Sequence, residues 1–287
     1  MPETTLWNGA ASSVFDLDGN WSGSKPATGD TAIMPDGNTV AVAGADVTAY
    51  ELAEWTVRAG YSGTIGSRTA GAITNLQVDA DTVNLAGSGT AYINLTGVAT
   101  CNVTAAAAGS PSTGLYGLTL SGATIGTLKI DLDSGQSVGV AALAGQTCTA
   151  TNIDIDGAGT VVLGSGLTTT TVTIAGTGTV YIDCAYTTLT ISGSPTIYQR
   201  SGTGTTLLAY GGRFYNNTSS AITTTSVFDG ASVILTDGPQ DREMTNINVY
   251  GDGAFDDSNK RLATCAVRNF GSGVNIKLGS NNTLTRT

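Results

Sequence analysis

The sequence predicts an all-β protein, a single-stranded parallel β-helix (β-solenoid) with coils of roughly 17–20 residues and distinct N- and C-terminal caps. Three observations carry this expectation. A large apolar residue, a small or polar residue and a glycine recur as a phrase, and from Gly157 through Gly176, Gly193, Gly212 and Gly230 the intervals are 19, 17, 19 and 18; repeats of this length are the mark of stacked architectures. Between the glycines the pattern has period two, with Val161 and Leu163, Val172 and Ile174, Val180 and Ile182, Leu189 and Ile191 alternating with Thr, Ser and Asp, which is strand chemistry. A helical crossover needs about a dozen residues or more and does not fit between such closely spaced strands.

Taken in order, residues 1–68 read as an N-terminal cap or docking module. All three tryptophans (Trp7, Trp21, Trp55) and three of the six prolines lie there. A solenoid leaves strand edges open at its ends, so terminal segments should differ from the repeats. Aromatic residues are favoured at interface cores, which makes Trp7, Trp21, Trp55 and Tyr61 the candidate docking residues. Residues 69–250 read as the solenoid proper, about ten coils stacked into a rod of about 50 Å at the usual strand spacing. The earlier glycine intervals, 25 from Gly97 to Gly122 and 35 from Gly122 to Gly157, fit less well, and the second is expected to hold two coils with one marker missing. From about Leu207 the chain becomes richer in aromatic and basic residues; residues 251–287 read as a C-terminal cap or an oligomer interface, and a homotrimer is the expected assembly by analogy with other elongated solenoids.

Composition narrows the chemistry. The formal net charge is −10 and there is no histidine, which argues against nucleic-acid binding and removes histidine bases, triads and metal ligands. Residues 1–199 hold 15 acids and 4 bases, whereas 200–287 hold 7 and 8, so the last third has a different surface. Cys101, Cys148, Cys184 and Cys265 form no CxxC pair and are expected as buried thiols. No apolar run of about 20 residues and no leader pattern is present, so neither a membrane partner nor export is expected.

The segment WNGAASSVFDLDGNWSGSKPATGDTAIMPDGNTV, with Trp7, Gly9, Asn20-Trp21, Pro26 and Gly29-Asp30-Thr31, followed by the Gly60–Gly66 phrase GYSGTIG, resembles bacteriophage virion β-helix proteins. Similar openings occur in autotransporter passenger domains. The resemblance implies a structural virion role, a capsid decoration or head fibre, with the major capsid protein or another virion protein as partner, host surface glycans as a further contact, and assembly in the host cytoplasm. Two alternatives stand beside it: a tail-spike depolymerase acting on host polysaccharide, and a secreted bacterial adhesin.

No catalytic residue, cofactor or metal site is expected. The Asp pairs 16/18, 79/81, 131/133 and 154/156 sit two apart and so share a strand face, but in KIDLDS and NIDIDG the intervening Ile and Leu claim the core and send the carboxylates to water. Thr168–Thr171 and Asn216-Asn217 are candidate polar ladders, and Tyr181, Tyr186 and Tyr198 a candidate carbohydrate platform.

Overall fold

A computed structural model describes residues 2–235, 242–259, 262, 266–269, 273–278 and 283–286. The chain winds as a β-solenoid of about 12 turns; among the described residues 23 strands join in one sheet, and the helical content is two short 3-10 segments.

Each central coil contributes two strands, and like strands of successive coils pair in parallel. One ladder runs through Leu167–Ile174, Tyr186–Ile191, Gly204–Ala209, Ile222–Val227 and Met244–Val249. The other runs through Ser137–Val140, Thr160–Leu163, Thr179–Ile182, Thr196–Gln199, Arg213–Asn216 and Ser232–Ile234. The long strands Leu76–Leu85 and Leu118–Leu132 bend and serve both. Alternation sends one column of each ladder inward: Val172, Leu189, Leu207, Thr225 and Ile247 from the first, Val161, Val180, Ile197, Phe214, Val233 and Phe255 from the second. All of them are buried.

Coil length holds near the expected value in the middle and also between Leu76 and Cys101, where Leu76 lies beside Ile93 at a step of 17 and Val83 beside Cys101 at 18. Val172 lies beside Leu189 at a step of 17, and Leu189 beside Leu207 at 18, but Thr100 pairs with Thr127 and Asn152 with Thr127, steps of 27 and 25. The interval from Gly122 to Gly157 is therefore one wide coil and not two. Gly122 sits inside a strand and pairs with Cys148, so it does not mark a turn.

The turn glycines explain the phase. Gly157, Gly176 and Gly193 all adopt positive φ, which a side chain disfavours. They also stack: a Cβ on Gly176 would lie 2.3 Å from the carbonyl oxygen of Gly157, and one on Gly193 2.7 Å from that of Gly176.

The ladders run without a break through the expected boundaries. Asp46–Val57 pairs with Leu76–Leu85 across residue 68, and the described strands Ala254–Asp256, Ala266–Asn269 and Asn275–Lys277 extend both ladders past residue 250. Ser22 returns across the outer edge of Thr4–Leu6, its backbone N–H donating to Leu6 O at 2.8 Å and its hydroxyl accepting from Leu6 N at 3.0 Å. Buried Asn20 holds this return in place: its Oδ1 accepts from the N–H groups of Ala11 and Ser12, and its Nδ2 donates to Val14 O at 2.7 Å.

Candidate functional site

Trp7, Trp21, Trp55 and Tyr61, the expected docking residues, are interior. Their exposures are 1, 3, 0 and 0%. Trp7, Phe15 and Trp21 pack ring on ring at centroid distances of 4.8 to 6.3 Å, and the Trp21 indole N–H donates to Phe15 O at 2.7 Å. The Tyr61 hydroxyl donates to Val40 O at 2.6 Å, and burial holds its ionisation above the usual range. These rings are thus part of the interior: Trp7 and Trp21 pack with Phe15 near the N-terminal end, and Trp55 stands within the stack, beside Ala32 on one side and Val83 on the other. The large apolar side chains that the segment exposes are aliphatic, namely Leu6, Val14, Leu17 and Val40, two of which flank an open depression of about 520 Å³ with Pro35 and Asn38. Composition identified the segment, but an aromatic cluster reads the same in a core as at an interface.

The aspartates behave as alternation dictates. Ile130, Leu132, Ile153 and Ile155 are buried while Asp131, Asp133, Asp154 and Asp156 are exposed. Asp79 has its pKa raised, first by partial burial and then by Asp81. Among the described residues no three acidic or thiol side chains gather as a metal site. Cys101, Cys148 and Cys184 are buried free thiols, and burial pushes Cys148 and Cys184 up to about 12. Cys265 lies outside the described residues.

The expected tyrosine platform is rearranged. Tyr186 is buried and its hydroxyl donates to Gln199 Oε1 at 2.9 Å. Tyr181 and Tyr198 instead stack with Tyr215, which sequence reading did not include, at 5.3 and 4.9 Å. The three occupy equivalent positions of consecutive coils, so each covers its neighbour's face. At the N-terminal end this stack is closed by buried Val162, one coil below, and by the Arg200 guanidinium 4.6 Å from the Tyr181 ring. Arg200 is held by a two-pronged pair with Asp183, Nε to Oδ1 at 2.9 Å. The amide ladder also lies elsewhere than expected: Asn216 is buried, whereas Asn102 Nδ2 donates to Asn84 Oδ1 and Asn84 Nδ2 to Glu54 Oε1, both at 2.8 Å.

A second stack, Tyr210, Phe228 and Tyr250, has centroids 4.4 and 4.9 Å apart and rings within 9° of parallel. Just past its first member the chain turns at Gly211-Gly212 into Arg213, and there lies a polar cavity of about 380 Å³ lined by Ser194, Thr196, Gly212, Arg213, Gly230 and Ser232. Hydroxyls, an exposed guanidinium and aromatic edges are groups that bind and orient; they supply no general base. No protein-family model, curated protein or solved structure matches this chain.

Proposed function

We propose that this chain is a structural protein of a bacteriophage virion, a capsid decoration or head fibre protein that assembles as a homotrimer in the host cytoplasm and is carried on the particle. The observation that carries the reading is the uninterrupted double ladder over a sealed core, together with the opening residues that resemble virion β-helix proteins. Such a rod resists opening because each inner coil is buried against two others. The particle-facing end is the N-terminal one, where four of the six large apolar side chains exposed among the described residues lie: Leu6, Val14, Leu17 and Val40. The partner there is the major capsid protein or another virion protein, because Leu6 and Val40, which line one open depression, offer exposed apolar surface for protein contact.

Mass spectrometry of purified particles from the source tests this reading, and absence of the chain from them ends it. Leu6→Asp with Val40→Asp is expected to abolish incorporation while leaving the solenoid folded. Light scattering tests the trimer separately, a monomer mass at micromolar concentration counting against it. A second reading, a tail spike that handles host polysaccharide, draws on the aromatic stacks and the polar cavity around Arg213.

A further inference from the structure

Five consecutive coils place equivalent residues in one column on the outside of the rod. The backbone N–H groups of Ala175, Ser192, Tyr210, Phe228 and Tyr250 donate to Ile155, Ile174, Ile191, Ala209 and Val227, each at 2.8 Å. The last three carry the stacked rings, and the first two carry small side chains. The column therefore has a step. Phe228 and Tyr250 are half-buried by their neighbours, while Tyr210 is 49% exposed, and its one ring partner among the described residues, Phe228, lies on the C-terminal side. Its other face looks over Ser192, with room for one more flat ring at the strand spacing of about 4.8 Å. The Tyr181 stack offers no such step, because Val162 and Arg200 close it.

Around the Gly211-Gly212 turn from Tyr210 lies the 380 Å³ polar cavity. Arg213 there is exposed and makes no ion pair with a described residue, unlike Arg200, which Asp183 neutralises. Gly230 at its rim has open space where a Cβ would sit. Asp229, the nearest acid in sequence, is turned to the next coil, where its Oδ1 accepts from Asp252 N at 2.9 Å. On a chain of net charge −10, an unpaired guanidinium beside hydroxyls and an open aromatic face is a local reversal that suits an anion.

We propose that Tyr210 and the cavity of Arg213, Ser194, Thr196 and Ser232 form a binding site for an acidic glycan, with a pyranose ring continuing the aromatic stack over Tyr210 and a sugar carboxylate on Arg213. A pyranose has the thickness of one coil step and an apolar face that packs on an aromatic ring, and a guanidinium binds a carboxylate through paired hydrogen bonds. The site goes beyond the virion reading and does not depend on it.

The test is calorimetric titration of the full chain with tetragalacturonate, and with maltotetraose as the neutral control. Saturable binding of the uronate is expected, weakened by salt. Tyr210→Ala is expected to lower affinity about tenfold, Tyr210→Phe to retain it, and Arg213→Gln to lower uronate affinity about tenfold and remove the salt dependence. Absence of saturable uronate binding, or unchanged binding by Tyr210→Ala, overturns the proposal. Equal affinity for the neutral sugar overturns the role of Arg213. Sedimentation velocity runs alongside: dissociation of an oligomer by Tyr210→Ala makes a second copy the occupant and also overturns it. Chain present in particles but without glycan binding defeats this site and spares the virion reading; the reverse result does the opposite.

Discussion

Single positions in the stack are decided by what lies one coil above and below. Thr225 stands in an inward column between Leu207 and Ile247, fully buried, and its hydroxyl has no hydrogen-bond partner among the described residues. Thr225→Val keeps the shape and removes that buried hydroxyl, so a gain of about 1 kcal/mol is expected in denaturant unfolding. Gly176 and Gly230 both have positive φ, but a Cβ on the first meets a carbonyl oxygen and on the second meets nothing. Gly176→Ala should therefore cost several kcal/mol and Gly230→Ala only about 1 kcal/mol. The buried thiols give a pH signature. Cys148 and Cys184 ionise near 9.0 when unfolded and near 12 when folded, so their contribution is complete below pH 9 and is lost as pH rises from 9 towards 12. In a Cys265→Ser background no native thiol should react with Ellman's reagent at pH 8, and all three should react in denaturant. Residue roles were legible where alternation decides them, as for Asp131 and Asp154. They were not legible for Thr225 or Tyr215, whose surroundings come from residues a full coil away.

At the scale of the element, strands were readable because each carries its own period, whereas coil width was not. The spacing rule held where turns are glycine-tight, from Val172 to Leu207, and failed at the coil containing residues 104–117, where the extra chain is packed against the outside. Tyr116 from that segment rests on Gly139, which lacks a Cβ to hold it off. The N-terminal segment stands apart in composition, but the way one asparagine organises its returning chain is a tertiary fact. Asn20→Ala removes the partner of the part-buried Ala11 N–H, Ser12 N–H and Val14 carbonyl and should cost about 2–3 kcal/mol. It should also uncover the edge of Thr4–Leu6, and light scattering of the variant is expected to show end-to-end aggregation that Asn8→Ala does not produce. Trp55→Ala, which empties the first full coil, should lower stability by about 3–5 kcal/mol.

For the whole molecule, about 12 turns at about 4.8 Å each make a rod of about 58 Å, a maximum dimension that small-angle scattering of the monomer reads directly. The rod's hydrogen bonds point along its length, which has a mechanical consequence. Pulled at its two ends, the stack behaves as plates glued in series: every seam carries the same tension, and the seam with the least glue parts first. Four residues join Thr179–Ile182 to Thr196–Gln199, but three join Ser232–Ile234 to Ala254–Asp256 and three join that strand to Asn275–Lys277. Three residues likewise join Thr4–Leu6 to Thr31–Met34. Under load the molecule should fail by shedding coils from its ends, a saw-tooth force record beginning there, while the glycine-pinned middle stays shut.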